Sequence, residues 1–578
     1  MYPTLSDFVA ALEAAGELQR IGARVSPLLE ISHIADRVSK QPAPHISEHA
    51  RAFDPRNAGL GGKALLFENV EGAAMPLLIN AFGSYYRLEM ALGCREGGFE
   101  ALAEKIARLT KPQPPAGLME KMKKGLELVH LAGLTPKVVK SGRCQQVVKT
   151  GAQINLFELP IIQCWPLDGN LPAVGWPAPG TPGTPGTPGT PGNSKSVDPG
   201  NSGGGWGRYI TFAGMHTIHP EDAGKSDDQP RPSRNIGMYR AQILDSTHTA
   251  MHWHMHHDGA RHWRAWKAAG NAPAAVAGIP GGGMPCAMVL GGESALPYAA
   301  TAPLPPGISE LLMAGFLNDR GLELVRCKTI DLHVPANAEI VIEGYVSLQA
   351  GLPGSEPGQP VGPGAVIEGP FGDHTGFYSL PDRYPIFTVT AITHCRQPLY
   401  PTTIVGLPPQ EDYYLGKATE RIFLPLLKML VPDVLDYHLP LFGCFHNCAF
   451  LKIRKEYPLQ ARRVMHAIWG AGQMAWTKFL VIVDHDVDVH NQDEVLFHLC
   501  ANCDPGRDVE VVHGPLDILD HAAPRLGAGS KMGLDATRKI AGEEVGGNLV
   551  RAWPPLIHQD PAVAEAVSRR WKEYGLGS

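Results

Sequence analysis

Two short stretches hold most of the residues able to do chemistry. The first, Arg234 to His262, reads RNIGMYRAQILDSTHTAMHWHMHHDGARH and puts five of the chain's 24 histidines between Met251 and His262. Ile236 to Leu244 alternates small or apolar with larger residues, which predicts a strand; Asp245-Ser246-Thr247 predicts a turn, and Met251 to His256 a second strand. At a period of two, His252, His254 and His256 would share one face, with Trp253 and Met255 on the other. A hairpin carrying Asn235, Arg240 and a row of imidazoles can hold an anion beside a hard or borderline metal ion, which suggests a phosphorylated cofactor. The competing reading is a set of half-buried structural histidines.

The second stretch, EGPFGDHTG, runs from Glu368 to Gly376. Glu368 and Asp373 are separated by a Gly- and Pro-rich turn able to aim both carboxylates at one pocket. Paired carboxylates beside an Arg can split their pKa values, one staying ionised while the other carries a proton. Asp and Gly are also common in plain surface turns.

Other motifs are weaker. Asp484 to Asp488 looks like the start of a calcium loop, but Val489 stands where Gly is needed and Val495 where Glu is needed. Cys444 and Cys448 with Cys500 and Cys503 could supply four thiolates to zinc, which would make the chain a zinc-stabilised interaction protein. There is no GxxxxGK[ST], no strand-linked GxGxxG and no GxSxG, so nucleotide hydrolysis and serine-esterase chemistry lose their usual signals.

The elements that must position these stretches suggest three regions. Near the N-terminus, Thr4 or Ser6 can cap a helix with an apolar stripe of Leu5, Phe8, Val9 and Leu12, closed by Gly16. A helix over 31–38, strands over 64–67 and 76–81 and helices over 85–92 and 100–109 give an α/β domain for residues 1–133, its last helix spanning 119–132. Residues 134–385 read as mostly β, with strands at 144–149, 154–157, 206–218, 288–290, 323–327 and 338–348 and a helix at 308–317. Pro/Gly-rich insertions at 177–205, with a Thr-Pro-Gly repeat, and at 352–364 interrupt it and read as hairpin tips. Residues 386–578 return to βα alternation: strands at 386–393 and 403–407, helices at 418–430 and 460–467, a buried parallel strand KFLVIVD at 478–484, a helix at 493–499, and a last helix capped by Asp560 with Pro561 first.

At 578 residues the chain needs two to four domains. Its 44% apolar and 19% charged residues are ordinary for a globular protein, and a net charge of −6 argues against a general nucleic-acid binder. Ten irregularly spaced cysteines read as reduced thiols of a cytoplasmic protein, and neither a signal peptide nor an apolar run near ~20 residues is evident.

Seven blocks in fixed order, NIGMYR, MHWHMHHDGA, SELLMAGFL, AEIVIEGYVS, EGPFGDHTG, KFLVIVDHDVDV and GSKMGLDATRK, together with the N-terminal LSDFVAALEAAGELQRI, resemble the UbiD-type carboxy-lyases, above all the 3-polyprenyl-4-hydroxybenzoate decarboxylases. The likeness covers nearly the whole chain except the two insertions. It implies an N-terminal α/β domain, a central split β-barrel related to flavin reductases, and a C-terminal α/β domain used in oligomerisation. It also implies prenylated FMN supplied by a flavin prenyltransferase, Mn²⁺ or Mg²⁺, and K⁺ at the phosphate. The implied reaction is non-oxidative decarboxylation of an aromatic acid of hydroxybenzoate or naphthoate type, in ubiquinone or menaquinone assembly.

Carried over by position, Asn235, His256 and Glu310 resemble metal ligands, with His257 the alternative to His256. Met238, Tyr239, Arg240, His252, Trp253, His254, His257 and Asp258, with Asn235, would contact the cofactor. Arg240, Glu368 and Asp373 match the catalytic Arg-Glu-Glu/Asp network, with Asp373 the acid that protonates carbon. His252 stands where the quinone-pathway enzymes carry Arg, His257-Asp258 where they carry Arg-Gly, and Asn502 where Arg is usual. A degradative hydroxyarene decarboxylase of the same family, and an inactive flavin-binding or assembly subunit, are the alternatives. The resemblance further implies a homo-dimer or hexamer, and a lipophilic substrate would draw the protein to the membrane surface.

Overall fold

The computed structural model describes residues 1–110, 133–177, 205–227, 229–270, 279, 282–304, 308–351, 364–544 and 551–576. The expected helix over 119–132 and most of both insertions lie outside the described residues.

The N-terminal layer is a four-stranded sheet. β1 (Leu18–Val25) pairs parallel with β2 (Ala64–Val70), β2 antiparallel with β3 (Leu77–Ile79), and the short strand Tyr400–Pro401 adds to β3. The polar sequence of β1, QRIGAR, hides its strand character, since only its two ends are buried. Helix α1 (Leu5–Ala14) is capped by the Thr4 side chain, which accepts from Asp7 N, and buries Leu5, Phe8, Val9 and Leu12. Helix α2 (Tyr85–Leu92), capped by Ser84, packs beside it. The segment expected as a strand over 403–407 is irregular; its backbone partner is spent at Tyr400 and Pro401.

The centre is a closed six-stranded antiparallel barrel. Its strands are β4 (Tyr209–Thr217), β5 (Asn235–Ile243), β6 (His248–Met251), β7 (Gly283–Leu290), β8 (Ile340–Ser347) and β10 (Asp382–His394), ordered β8-β7-β4-β5-β6-β10 and closed by β8 on β10. Ala213, Met215, Ala241, Ile243, Met288, Ile342 and Phe387 fill it, each larger aliphatic contributing about 1.5–3 kcal/mol by burial. A bulge at Glu343/Gly344 lets β8 and β10 close, and at Gly344 a Cβ would lie 2.1 Å from the Thr388 carbonyl, so only glycine fits. Strand β9 (Ala365–Glu368) extends the sheet on β10. The expected strand at 323–327 belongs to a separate three-stranded sheet with 333–335 and 137–139. At 154–157 the backbone makes a 3-10 turn around the Asn155 side chain instead of a strand, and Cys144 also lies in a 3-10 turn, with extended chain starting at Val147.

The histidine segment departs from expectation. β6 ends at Met251, and residues 252–257 form a loop into helix α3 (Asp258–Ala269). The fully buried Trp253 draws the chain into the barrel core, while Asp258 favours a helix start. Helix α4 (Glu310–Asn318), capped by Ser309, covers the start of β5.

Helix α5 (Glu411–Ile422) ties the C-terminal region to the N-terminal one: the Glu411 carboxylate accepts from Asn80 N at 3.1 Å and Phe82 N at 2.9 Å. The single helix expected over 418–430 is broken after Ile422, with Pro425 opening a second one. Five strands follow: β11 (Val434–His438), β12 (Cys448–Ile453), β13 (Phe479–Asp484), β14 (Val509–Pro515) and β15 (Ala528–Asp535), ordered β11-β12-β13-β15-β14. β13 has parallel neighbours on both sides, as its unbroken apolar sequence demands. Helices α6 (Gln460–Ile468) and α7 (Gln492–Asn502) complete the α/β layer.

Candidate active site

β5 places Arg240 on the same face as Ile236, Met238 and Gln242, by the two-residue period of a strand. Ile236 and Met238 anchor that face on the apolar cluster under α1, α2 and α4. Arg240 is thereby held rigidly beside the turn after β9. Its Nε donates to Glu368 Oε1 at 2.8 Å and its Nη2 to Glu368 Oε2 at 3.1 Å. Nη1 donates to Asp373 Oδ2, and Nη2 also reaches Ser379 Oγ at 3.0 Å. The guanidinium lies over the Phe371 ring at 4.5 Å.

The carboxylate turn is built to hold this arrangement. Glu368 ends β9, Gly369 takes φ +95°, and Phe371–Gly372 pairs with Tyr378–Ser379. Gln242 Oε1 accepts from Gly369 N at 3.0 Å, and Asp168 Oδ1 from Gly372 N at 2.9 Å. Asp168 also accepts from the backbone of Cys164 and Trp165, and burial raises its carboxyl to about 7.

Burial alone would push Glu368 up, but Arg240 and His252 outweigh it and bring the carboxyl down to about 2. Burial likewise opposes ionisation of Asp373, yet His374 and Arg240 hold it well below the usual range. The Asp373 Oδ1–His374 Nδ1 separation is 3.0 Å, and this partner overcomes burial to raise His374 to about 9. Arg240 and its two carboxylates thus form a buried, fully ionised triad.

The histidines form a ladder from this triad. His252 Nδ1 lies 3.2 Å from Glu368 Oε2, and its ring stacks on Tyr384 at 4.3 Å. His252 Nε2 is 3.1 Å from His254 Nε2; His254 stacks on His257 at 4.6 Å, and His257 packs on Tyr239 at 4.8 Å. Burial depresses all three imidazoles, His257 to about 3, so they are neutral donors and acceptors. His256 does not join them. It is exposed and packs on Trp476 of the C-terminal region, 5.7 Å between ring centres.

At the other end of β5, Asn235 and Glu310 are both buried. Glu310 Oε2 accepts from Ile236 N at 2.7 Å, Asn235 Nδ2 lies 3.4 Å from Thr217 Oγ1, and burial raises Glu310 to about 7. Nearby, α3 begins without a side-chain cap, Gly259 N points to Tyr239 Oη at 3.4 Å, and Trp253 Nε1 and His216 Nε2 are buried without partners. A carboxylate, an amide oxygen, neutral imidazoles and uncapped helix N–H groups suit a divalent ion bound beside a phosphate. No hydrogen bond or ring contact brings His256 to Asn235 or Glu310 among the described residues.

Another cluster of ion-binding type lies elsewhere. Glu420, His438 and His490 place their ligand atoms within 4.8 Å of one another. The Lys417 ammonium sits among them, 2.6 Å from Glu420 and 2.9 Å from His438, and supplies the positive charge itself. The four cysteines weighed for zinc form no disulfide, and they do not gather into a ligand cluster among the described residues.

Sequence reasoning passed over Asp168, Gln242, Tyr384, Asp412, His446 and Asp517. Gln242 lies two residues from Arg240 on the same strand face, so the alternation offered a signal for it; the others reach the site from other segments, and no local pattern marks them. His374 adjoins Asp373 within the quoted motif, so a signal was there.

Three family descriptions match consecutive parts of the chain. They are the N-terminal, Rift-related and C-terminal domains of 3-octaprenyl-4-hydroxybenzoate carboxy-lyase, at residues 9–106, 202–408 and 413–536. An uncharacterized protein of Aquifex aeolicus is 42% identical over 575 residues, covering 100% of this chain and 99% of the relative. The chain belongs to the UbiD carboxy-lyase family. Among solved structures, the vanillic acid decarboxylase of Sedimentibacter hydroxybenzoicus in closed form is 22% identical with a TM-score of 0.71, covering 99% of both chains. An evolved dimeric form of the UbiD-class enzyme HmfF from Pelotomaculum thermopropionicum, in complex with prFMN, is 24% identical with a TM-score of 0.62, covering 94% of this chain and 97% of that one. These likenesses show a shared fold.

Proposed function

We propose that this UbiD-family carboxy-lyase decarboxylates a hydroxybenzoate- or naphthoate-type acid with prenylated FMN, in ubiquinone or menaquinone assembly. The observation that carries the reading is Arg240 clamping Glu368 and Asp373 in one buried triad. When bound, the prenylated flavin supplies the electron sink that side chains lack. The protein's share is to bind, orient and move a proton. Arg240 is the cation available to the substrate carboxylate, and Glu368 stays ionised to keep it in place. Asp373 delivers a proton to the carbon that loses carbon dioxide. The neutral ladder His252, His254 and His257, with Met238, Tyr239 and Trp253, would line the flavin without adding charge, and Asp258 would contact it from the start of α3.

Asn235 and Glu310 would hold Mn²⁺ or Mg²⁺ at the cofactor phosphate, with K⁺ beside it. His256 would be the third ligand only if its loop leaves Trp476, which makes His257 the alternative. A flavin prenyltransferase would supply the cofactor. Leu496 and Phe497 are exposed on α7, and helix α8 (Pro561–Arg569) buries none of its residues; these surfaces would serve assembly into a homo-dimer or hexamer. Among the described residues no helix is long and apolar enough to cross a membrane.

One observation favours the degradative reading. The wall beyond Asp373 is polar, built from His374, Asp517 and His446 with Asp412 behind, which suits a small hydroxylated ring better than a prenyl chain. Holoenzyme co-expressed with a flavin prenyltransferase should release carbon dioxide from a panel of hydroxybenzoates, prenylated hydroxybenzoates and naphthoates. Turnover of simple hydroxybenzoates alone would remove the quinone assignment, and no turnover by any acid would remove the decarboxylase reading in favour of an inactive binding subunit.

A further inference from the structure

Each turnover replaces a carboxylate with a hydrogen, so it consumes one proton that has to come from solvent. Asp373 cannot hold that proton at rest. One of its oxygens is taken by Arg240 and the other by His374, whose Nδ1 lies 3.0 Å away and whose backbone N–H donates to the same oxygen at 2.8 Å. Something must recharge it.

We propose that His374 is the proton store behind Asp373, and that Asp517 and His446 connect it to solvent through the C-terminal region. The inference rests on the decarboxylase reading. His374 Nε2 lies 4.0 Å from Asp517 Oδ2, and His446 Nε2 lies 3.7 Å from the same oxygen. These are ion-pair rather than hydrogen-bond distances, so a small rotation of Asp517 or a water completes the path. His446 packs on Trp476 at 5.3 Å, and Trp476 carries the exposed His256 on its other contact at 5.7 Å. The path therefore runs outward from the buried triad.

The electrostatics around His374 suit a store. Asp373 from its own turn, Asp412 from α5 and Asp517 from the loop after β14 favour its cation; that cation in turn lowers His254 and His446, and Phe445 walls it off at 5.6 Å. A substrate carboxylate drawing on Arg240 weakens that cation's hold on Asp373, so the His374 Nδ1 proton passes to Asp373 and leaves a neutral imidazole that keeps its Nε2 proton. The Asp373 carboxyl gives the proton to the carbon, which keeps the electron pair of the broken C–C bond, and Asp373 is again a carboxylate. The imidazole ring turns its bare Nδ1 outward, takes one solvent proton past Asp517 and returns, which restores the resting ion pair. The pair then titrates as a unit.

The test has two arms. In apo protein labelled at histidine 13Cε1, one histidine should titrate above pH 8, vanish in His374→Gln, and fall to the ordinary range in Asp373→Asn. In holoenzyme acting on the fastest acid of the panel above, kcat should fall on an alkaline limb near pH 9. His374→Gln should lose that limb and about 10- to 100-fold of kcat with KM unchanged, partly restored by free imidazole. Asp517→Asn should move the limb to lower pH with KM unchanged. Absence of a high-titrating histidine, or an active His374→Gln enzyme with the wild-type limb, overturns the relay alone. A high-titrating histidine in a protein that decarboxylates nothing overturns the decarboxylase reading and the relay with it. A melting curve and flavin absorbance of His374→Gln separate either result from misfolding.

Discussion

Arg240 and Glu368 meet through two near-parallel N–H···O bonds of 2.8 and 3.1 Å, with the Glu368 side chain fully buried and Arg240 nearly so. A bidentate pair fixes the guanidinium plane as well as its position. With its plane fixed, Arg240 has one N–H edge left for Asp373 and Ser379. The direction of the Arg240 guanidinium is thus decided by Glu368, 128 residues away in sequence.

Glu368→Gln keeps the shape but removes the charge. Turnover should fall by about 100-fold or more, because Arg240 then turns toward Asp373 and the substrate loses its aligned cation. Flavin binding should survive. The stability loss should stay below the about 3–5 kcal/mol of an orphaned buried charge, since Asp373 still neutralises Arg240. Steady-state kinetics with flavin absorbance and a denaturation curve check this; undiminished turnover would falsify the assignment of Glu368.

Gly372 is the steric key of the carboxylate turn. A Cβ there would sit 2.2 Å from Trp165 Cδ1, and Trp165 cannot retreat because Gly406 presses its other edge, where a Cβ would lie 2.6 Å away. The Trp165 Nε1 bond to Val405 O, 2.8 Å, fixes the ring further. Gly372→Ala should displace Asp373, lowering kcat by about 100-fold, and overpacking should remove about 1–3 kcal/mol of stability. Gly406→Ala should lose comparable stability with a smaller effect on kcat. Wild-type kinetics in Gly372→Ala would show that the turn is not held by Trp165.

What the sequence could reveal depended on distance along the chain. The β5 alternation was legible because one face meets the barrel core and the other the α1 cluster. KFLVIVD was legible because a strand with two parallel neighbours is apolar throughout. The partnership of Arg240 with Asp373 spans 133 residues, and only the family resemblance joined them. The histidine row was misread locally: alternation over six residues reads the same in a strand and in a loop, and the burial of Trp253 decided between them. Asp168 reaches Gly372 across 204 residues, and nothing near it in sequence distinguishes it from a surface acid.

Glu310 tests the metal reading. It is buried at the start of α4, and among the described residues its hydrogen bond from another element comes from Ile236 N to Oε2, with Oε1 on the side open to an ion. Glu310→Gln keeps the backbone bond but not the charge, so bound Mn²⁺ measured by elemental analysis should fall about 10-fold or more, with the melting temperature of the metal-free protein little changed. His256→Ala and His257→Ala compared in the same assay identify the third ligand. Full metal content in Glu310→Gln would place the ion elsewhere, with the Glu420–His438–His490 cluster the next site to examine.

Buried histidines set a separate dependence on pH. Burial lowers His216 to about 3 and His262 to about 4, while an unfolded histidine titrates near about 6.5. Above that value the folded and unfolded chains bind the same protons at these sites. Below it the unfolded chain binds more, so stability is lost as pH falls, by about 2 kcal/mol per histidine at pH 5. Total stability is a poor probe, because burial raises Asp168 and Asp412 to about 7 and those acids shift it the opposite way. The difference between two proteins isolates one site. His262→Gln loses an imidazole whose Nδ1 lies 2.9 Å from Thr217 Oγ1, so it should be less stable than wild type at pH 7. Going to pH 5 should narrow or reverse that gap by about 2 kcal/mol, since only wild type carries the protonation penalty. Denaturation midpoints of both proteins at the two pH values measure the change, and a gap independent of pH would mean that His262 protonates freely in the folded barrel.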